Sequence, residues 1–299
     1  MNYDKQRSTV IITGSDGYLG GKIIKRILLT TELDILGLTI DLNLPEKMLE
    51  REGIEKNDRV QFMENEVFLN SETQIKDIHS AIHLAFSRRM QPAKDIASSI
   101  DFAASVFHRF VELKVDRVVN LSSQGVYGNV EEIRTEDTQP APETQYTMAK
   151  YAAEVLFNNI MINVPHHTNL RLDPVAQSQN VLRGLCKSAK EGIIKLKVGR
   201  QVFSFIDAED AANAVIAMIM ANGKWDEVYN VGWNRKRYSL VEVAELVSVV
   251  VEQCGYKRPK IVCEKEDVSL WAGMDSSRFI KKTGWVPRID LEQSLTNMI

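Results

Sequence analysis

The stretch "TVIITGSDGYLGGKII", residues 9–24, decides the fold class of this chain. An apolar run at residues 10–12 stands directly before three glycines, Gly14, Gly17 and Gly20. Apolar residues then recur at helical spacing, so the pattern predicts a buried strand, a tight turn and a helix in that order. Such a turn points backbone N–H groups at a pyrophosphate, and glycines allow the phosphates to approach closely. We therefore expect a dinucleotide site here, with a tight structural turn as the plainer alternative.

Composition narrows the class of protein. The chain has 299 residues, of which 44% are hydrophobic and 26% charged, and a formal net charge of −3, as is ordinary for soluble globular proteins. This charge predicts no nucleic acid partner and no attraction to an anionic membrane. Three cysteines without metal-ligand spacing, and the lack of an apolar stretch of bilayer length, favour a reduced, cytoplasmic protein with no metal site.

The first half of the chain alternates short apolar strands with helical patterns, which predicts an α/β fold with a doubly wound parallel sheet. The expected strands are 9–13, 35–39, 60–63, 80–85 and 117–121, and the expected helices are 18–30, 95–114 and 146–163. A smaller C-terminal α/β substrate lobe follows, interleaved with the cofactor domain. We place the cofactor domain at 1–173 plus about 203–232, and the lobe at about 174–202 plus 233–299.

The second strand bears on the identity of the cofactor. An acidic residue at the end of this strand ordinarily grips the adenosine ribose. In "DILGLTIDLN" Thr39 stands at the expected position and Asp41 follows two residues later. Asp41 would repel a 2′-phosphate, so the sequence favours NAD and leaves NADP open.

A serine, a tyrosine and a lysine form the candidate catalytic set. "VVNLSSQGVYG", residues 118–128, is a strand ending in two serines, and "QYTMAKYAAE", residues 145–154, opens a helix with Tyr146 and Lys150 on one face. A lysine ammonium beside a phenol favours the phenolate, which can exchange a proton with a substrate oxygen. The Tyr-x-x-x-Lys spacing also occurs at residues 18–22 and 256–260, so the spacing alone does not identify a catalytic pair. Tyr146 is singled out because its helix follows a strand that ends in serines. A half-buried helix tyrosine is the alternative.

The motifs together resemble a known family. "TGSDGYLG", "AIHLAF", "NLSSQGVYG", "YTMAK", "FSFIDAEDAANAV", "VYNVG" and "DSSRFIKKTGWVP" follow one another from residue 13 to 287. In that order the chain resembles extended short-chain dehydrogenase/reductases of the NAD-dependent epimerase/dehydratase family. The resemblance implies a Rossmann-like cofactor domain, activity on nucleotide-activated sugars, and a homodimer formed through two helices per subunit.

The resemblance also implies site residues. The cofactor would be held by Gly14, Gly17, Tyr18, Leu19, Gly20, Asp41, Ala85, Phe86, Tyr146 and Lys150. The catalytic residues would be Ser123, Tyr146 and Lys150, with Tyr146 as acid/base and Ser123 orienting the substrate oxygen. Asp210 is expected to have a structural role, capping the helix that follows it, and His83 to be a packed, hydrogen-bonded histidine.

Departures from the family pattern limit the functional prediction. Gln124 and Gly125 stand where sugar dehydratases carry Asp–Glu, so elimination is disfavoured. Phe203 stands where an arginine usually meets the diphosphate, and Lys265 is the nearest cation in a second such stretch. Substrate contacts are therefore assigned to Ser123, Gln124, Arg88 and Lys265. We expect a 4-epimerase or 4-keto-reductase of a nucleotide sugar, with a dehydrogenase of a free sugar or small alcohol, or a non-catalytic cofactor-binding scaffold, as alternatives.

Overall fold

A computed structural model describes residues 8–87, 90–197, 199–264 and 270–299. Arg88 and Lys265, assigned above to substrate binding, lie outside the described residues. The strands are β1 Thr9–Thr13, β2 Asp34–Thr39, β3 Val60–Glu64, β4 Ile78–His83, β5 Arg117–Ser123, β6 His166–Leu172, β7 Ile193–Leu196, β8 Val202–Phe203, β9 Val228–Val231, β10 Tyr238–Ser239 and β11 Lys260–Cys263. The helices are α1 Tyr18–Thr30, α2 Leu44–Glu52, α3 Asn65–Leu69, α4 Ala93–Glu112, α5 Gln145–Ile160, α6 Asn180–Lys190, α7 Ala208–Ile219, α8 Leu240–Gln253, α9 Ser277–Thr283 and α10 Leu291–Thr296.

Seven strands form one parallel sheet in the order β3-β2-β1-β4-β5-β6-β9. The predicted α/β class and doubly wound sheet are therefore confirmed. The strand order reverses direction between β1 and β4, because the chain builds outward from β1 to β3 and then crosses to the other side. Ligands of open parallel sheets bind in the crevice at such a switch point, beyond the carboxyl ends of the strands.

The apolar run of β1 explains why the sheet forms at its centre. Val10, Ile11 and Ile12 are all fully buried, as expected for a parallel strand covered by helices on both faces. Behind β1, a core cluster of the first unit includes Phe107 of α4 and Phe157 of α5, whose rings meet edge to face with centroids 4.9 Å apart. Helices α4 and α5 are thereby fixed against the sheet and against each other.

The chain folds as two compact units. The first comprises Met1–Ser122, Pro142–Leu170 and Ala212–Tyr229, and the second Ser123–Ala141, Arg171–Ala211 and Asn230–Ile299. In the second unit, α8 begins with a capping box, since the Ser239 hydroxyl accepts from the Glu242 N–H at 3.2 Å and the Ser239 N–H donates to the Glu242 carboxylate at 2.8 Å. The apolar face of α8 packs in a cluster with α6 and β7.

Two helical glycines differ in the space around them, so their replacement by alanine should have opposite effects on stability. A Cβ on Gly20 would meet the carbonyl oxygen of Gly14 and lie 2.6 Å from that of Ser15, whereas a Cβ on Gly184, exposed within α6, would meet open space. We expect Gly20→Ala to lower the free energy of unfolding by about 2 kcal/mol through overpacking. We expect Gly184→Ala to raise it by about 0.5–1 kcal/mol through helix propensity. Urea denaturation measures the free energy of unfolding of both variants. Equal effects would contradict the close main-chain approach described at Gly20.

Candidate active site

The glycine loop has the backbone geometry that its spacing predicts. Gly14 follows β1 with a φ of +65°, in the left-handed region, and a Cβ there would lie 3.0 Å from the backbone of Ala85. The Gly17 N–H donates to the Gly14 carbonyl at 3.1 Å, and Gly17 caps α1. Because Gly17 caps α1 without a side chain and the first turn of α1 contains no acidic residue, the loop fits a pyrophosphate bound at a helix N-terminus.

Tyr18 and Leu19 form the first turn of α1 and are half-buried. The Tyr18 ring lies between two cations, with the Lys22 Nζ 5.9 Å and the Arg51 Cζ 5.6 Å from its centroid. Arg51 also donates to the Gly17 carbonyl at 3.0 Å, and its Nε meets the carboxylate of buried Glu52 at 2.9 Å. The last turn of α2 is thereby attached to the glycine loop, a contact that the sequence spacing gave no means to find.

Asp41 lies in the turn after β2. Its carboxylate accepts from the Asn43 N–H at 2.9 Å and from the Asn43 side-chain amide at 2.8 Å, and the residue is exposed. Thr39, at the expected acidic position, is buried and its hydroxyl donates to the Asp41 carbonyl at 3.1 Å. Asp41 therefore remains available to solvent on one side, and its contact with the ribose stays a prediction.

The strand predicted at 80–85 is displaced by two residues, since β4 runs from Ile78 to His83 and ends before Leu84 and Ala85. The physical reason is the hydroxyl of Thr13, which accepts from the N–H groups of Leu84 at 3.0 Å and Ala85 at 3.2 Å and so replaces strand pairing there. The same hydroxyl is 2.9 Å from Nδ1 of His83. Having accepted twice, the hydroxyl donates its proton to Nδ1, which places the imidazole proton on Nε2.

His83 is a packed core residue, as the sequence analysis expected. Its side chain is 1% exposed and its ring meets that of Phe107 at 5.0 Å. Burial, with a smaller contribution from the charge of Lys150, lowers the pKa of His83 to about 3. The imidazole is therefore neutral throughout the physiological range and acts as a hydrogen-bonding spacer.

Tyr146 and Lys150 lie one turn apart on α5. The helix begins with a capping box in which the Thr144 hydroxyl accepts from the Thr147 N–H at 3.2 Å, so its start is fixed just before Tyr146. The Lys150 ammonium donates to the carbonyl oxygen of Leu121 in β5 at 2.8 Å and is almost completely buried. Burial lowers the pKa of Lys150 to about 7, while the charge of Glu154, one turn further on, acts in the opposite direction.

Phe86 completes this cluster in the first unit. The Lys150 Nζ lies 4.1 Å from the centroid of the Phe86 ring, and that ring meets the Tyr146 ring edge to face at 6.1 Å. Ala85, the other predicted cofactor-lining residue, lies against Gly14 of the loop. The structure therefore brings together the glycine loop, the residues after β4, and the Tyr146–Lys150 turn of α5.

Ser123 and Gln124 belong to the second unit. Ser123 is the last residue of β5, is half-buried, and accepts from the Gly125 N–H at 3.1 Å. Gln124 is buried, and its side-chain oxygen accepts from the Gly273 N–H at 3.0 Å. Gln124 therefore has a structural partner, while its assignment to substrate stays a prediction.

Asp210 has the structural role that the sequence analysis expected, but it does not cap α7. Its carboxylate instead accepts from the N–H groups of Arg288 and Ile289, both at 2.8 Å, and anchors the segment before α10. Asp207 supplies the cap, because its carboxylate accepts from the Glu209 N–H at 2.8 Å. The two aspartates are too close in sequence for spacing to distinguish these roles.

Sequence reasoning missed two features of the second unit. Asp173 is buried after β6, where its carboxylate accepts from the Ser204 hydroxyl at 2.5 Å and the Trp233 N–H at 3.0 Å, and burial raises its pKa to about 6. The Arg237 guanidinium lies 5.8 Å from the centroid of the Trp271 ring and donates to the Glu131 carbonyl at 2.9 Å. Arg237 is distant from Trp271 in sequence, so no local pattern pairs them.

Neither a metal centre nor a membrane segment is found where the structure is described. Over residues 8–87, 90–197, 199–264 and 270–299, no three acidic, histidine or cysteine side chains cluster as metal ligands would. In the same ranges, every helix is too short or too polar to cross a bilayer.

Comparisons with known proteins agree with this geometry. A sequence model of the NAD dependent epimerase/dehydratase family matches residues 10–232. A dTDP-glucose 4,6-dehydratase of Xanthomonas campestris pv. campestris is 25% identical over 210 residues, covering 61% of this chain and 56% of that protein. The chain thus matches just over half the length of this curated relative.

Solved structures share the fold over nearly the whole chain. UDP-glucuronic acid 4-epimerase from Bacillus cereus, in complex with UDP-glucuronic acid and NAD, superimposes with a TM-score of 0.81 at 20% identity, over 96% of both chains. dTDP-glucose 4,6-dehydratase from Bacillus anthracis, in complex with NAD, gives a TM-score of 0.80 at 18% identity, over 97% of this chain and 95% of that one.

The buried lysine predicts a pH dependence of stability. Because the pKa of Lys150 is lowered to about 7, folding must bury its charge below that pH, and this cost disappears as pH rises toward the ordinary lysine range. The free energy of unfolding contributed by Lys150 should therefore increase between about pH 7 and pH 10. In Lys150→Met this increase should be absent, which changes the difference from wild type by on the order of 3 kcal/mol.

Urea denaturation at pH 7 and pH 9.5 measures this difference. The matched control is Lys94→Met, which replaces an exposed lysine at the start of α4 and should follow the wild type at both pH values. A Lys150→Met difference that is the same at both pH values would mean that Lys150 is not desolvated.

Proposed function

Because the chain belongs to the NAD-dependent epimerase/dehydratase family, we propose that it is an epimerase or keto-reductase acting at a secondary alcohol or ketone of a nucleotide sugar. The observation that carries the proposal is the placement of Tyr146 and Lys150. They occupy one face of α5, with the Lys150 ammonium on the carbonyl of Leu121, two residues before Ser123 at the end of the same strand. Relatives of this fold include epimerases crystallised with NAD and UDP-glucuronic acid.

The cofactor of the family is NAD, and the described residues fit it. The glycine loop of Gly14, Gly17 and Gly20, with the first N–H groups of α1, would hold the pyrophosphate, and Asp41 would meet the adenosine ribose. Lys150 would hold the nicotinamide ribose. When bound, NAD supplies reversible oxidation of the sugar carbon.

The chain's own residues manage the proton. The phenolic oxygen of Tyr146 takes the proton from a substrate hydroxyl, or returns it to a ketone oxygen. The Lys150 ammonium stabilises the phenolate form by its charge, and does so best when Lys150 is protonated. The Ser123 hydroxyl would orient the same substrate oxygen by a hydrogen bond.

The identity of residue 124 favours this chemistry over elimination. A dehydratase needs a group that protonates the leaving hydroxyl and a group that abstracts a proton from carbon. Gln124 offers a neutral amide whose oxygen already accepts from Gly273, and Gly125 offers no side chain. Sugar dehydratases occur among the relatives, so this distinction is the part of the proposal that an assay must decide.

A second candidate is a dehydrogenase of a free sugar or other small alcohol. The observation in its favour is Phe203, which stacks on Phe205 with ring centroids 5.6 Å apart and pairs with Tyr238 in an antiparallel bridge. This position supplies an apolar surface where a diphosphate would need a cation. A non-catalytic scaffold would have no use for the Tyr146–Lys150 arrangement.

Replacement of the phenol tests the proposed reaction. Tyr146→Phe should lower kcat by about 10²-fold or more, because proton transfer is lost, while the Kd for NAD changes little. Turnover is measured with NAD and a panel of UDP-glucuronic acid, UDP-N-acetylglucosamine and dTDP-glucose, with sugar products separated by chromatography. Full activity of Tyr146→Phe would contradict the mechanism, and a 4-keto-6-deoxy product would contradict the exclusion of elimination.

The bound nucleotide separates the reaction types. Denaturation of freshly purified protein should release NAD, identified by mass. Stoichiometric NAD is expected of an epimerase, which oxidises and reduces within one cycle, whereas a reductase or dehydrogenase must exchange its cofactor. A protein without cofactor that reacts with free sugars would favour the second candidate.

We also propose that the protein is a homodimer formed through α4 and α5. Exposed apolar side chains recur at seven-residue spacing along α5 and just beyond it. Met148 and Val155 lie on α5 and Ile162 lies two residues after its end, and these side chains are 53%, 45% and 69% exposed. An apolar stripe of this kind is typical of a helix that packs against another subunit.

A charge in this stripe tests the dimer. Val155→Glu should convert a dimer of about 68 kDa into a monomer near 33.9 kDa in sedimentation velocity at micromolar concentration. The matched control is Leu29→Glu, which places a charge at the more exposed Leu29 of α1 and should leave the dimer intact. A monomeric wild type would refute the proposal.

A further inference from the structure

We propose that Phe86 covers Lys150 and weakens cofactor binding, so that this ring must move before Lys150 can contact the cofactor. The inference rests on the proposed function, since it takes Lys150 to be a cofactor contact. It goes beyond that function because it assigns Phe86 the role of a competitor for the Lys150 ammonium rather than that of a passive lining residue.

The Lys150 ammonium is already in contact with a carbonyl group and an aromatic ring. Lys150 has three N–H donors, and one is used by the carbonyl of Leu121 at 2.8 Å. The Phe86 ring covers another side, with its centroid 4.1 Å from Nζ, which is within the range of a strong cation–π contact. Only 6% of Lys150 is exposed, so little space remains for two ribose hydroxyls while the ring is in place.

Hydrogen bonds of the two neighbouring residues hold the backbone at Phe86 in place. On one side, the Ala85 N–H donates to the Thr13 hydroxyl at 3.2 Å. On the other, the Ser87 N–H donates to the Ser99 hydroxyl at 3.0 Å, and the Ser87 hydroxyl donates to the Asp95 carbonyl at 2.8 Å. Because both neighbours are fixed, the ring can leave Lys150 by side-chain rotation, without a shift of the chain.

Several titratable groups lie near the Lys150 ammonium. On its own helix, Lys150 has Glu154 one turn on, whose charge acts on the ammonium, and Tyr146 one turn before. From β4, the neutral His83 is close enough for the charge of Lys150 to act on it. No cation from β4 therefore competes for this space among the groups described there. The apolar ring also keeps water from the ammonium, consistent with the lowered pKa of Lys150, about 7.

Two variants separate the covering role from a general packing role. Phe86→Ala removes the cover, and Phe86→Leu keeps apolar bulk but lacks the aromatic face that attracts the cation. Thermal unfolding checks that both are folded. Phe102→Ala, which removes another half-buried ring of the first unit, is the matched control for loosening of the core.

The cover is measured by competitive acetylation with acetic anhydride over pH 6–11, on protein from which resident NAD has been removed. The labelling of Lys150 is compared by mass spectrometry with that of exposed Lys94 in the same sample. In Phe86→Ala we expect a limiting rate at high pH at least tenfold above wild type, and an upward shift of the midpoint, because water reaches the ammonium. Phe86→Leu and Phe102→Ala should remain near wild type in limiting rate. An unchanged limiting rate in Phe86→Ala would overturn the proposal.

Cofactor binding is measured by isothermal titration of NAD into protein from which resident NAD has been removed, with its removal checked by mass. Phe86→Ala should bind NAD about tenfold more tightly than wild type, because no cation–π contact has to be broken, and Phe86→Leu should lie between them. Unchanged or weaker binding by Phe86→Ala, with wild-type binding intact, would overturn the inference alone. If neither wild type nor any variant binds NAD, the proposed function itself is wrong, and this inference falls with it.

Discussion

The hydroxyl of Thr13 is the contact on which the first unit's site depends. It closes β1, accepts from the two N–H groups that follow β4, and donates to the buried His83. One oxygen thus aligns the ends of the two strands between which the sheet reverses direction. The glycine loop leaves one of these strand ends and the segment with Phe86 leaves the other, so the distance between the glycine loop and the Lys150 cluster is set there.

Local sequence patterns were sufficient to predict elements whose bounds depend on residues within one segment. The glycine stretch predicted α1 with its observed bounds, Tyr18–Thr30, and the capping box at Ser239 is likewise made by residues three positions apart. Both depend on residues within a few positions of one another. The end of β4 could not be read in the same way, because it depends on a hydroxyl about seventy residues earlier in the chain.

The same limit applies to the candidate site. Spacing placed Tyr146 and Lys150 on one helical face, but it carried no information on what covers the ammonium. That depends on Phe86, from a different strand end, and on the depth of burial. Asp210 shows the same limit. Its position near the start of α7 suggested a local cap, but its carboxylate binds the backbone of Arg288 and Ile289, almost eighty residues later.

The shape of the glycine loop depends on close approaches of the main chain, whereas Phe86 contacts Lys150 through its side chain. At Gly20 not even a methyl group is tolerated without movement of the backbone, so natural variation at that position is strongly restricted. At position 86 the contact with the Lys150 ammonium is made by the side-chain ring, so a substitution there changes that contact directly. Descendants of this chain could therefore change how firmly they retain their cofactor by single substitutions there, while the shape of the turn is inherited unchanged.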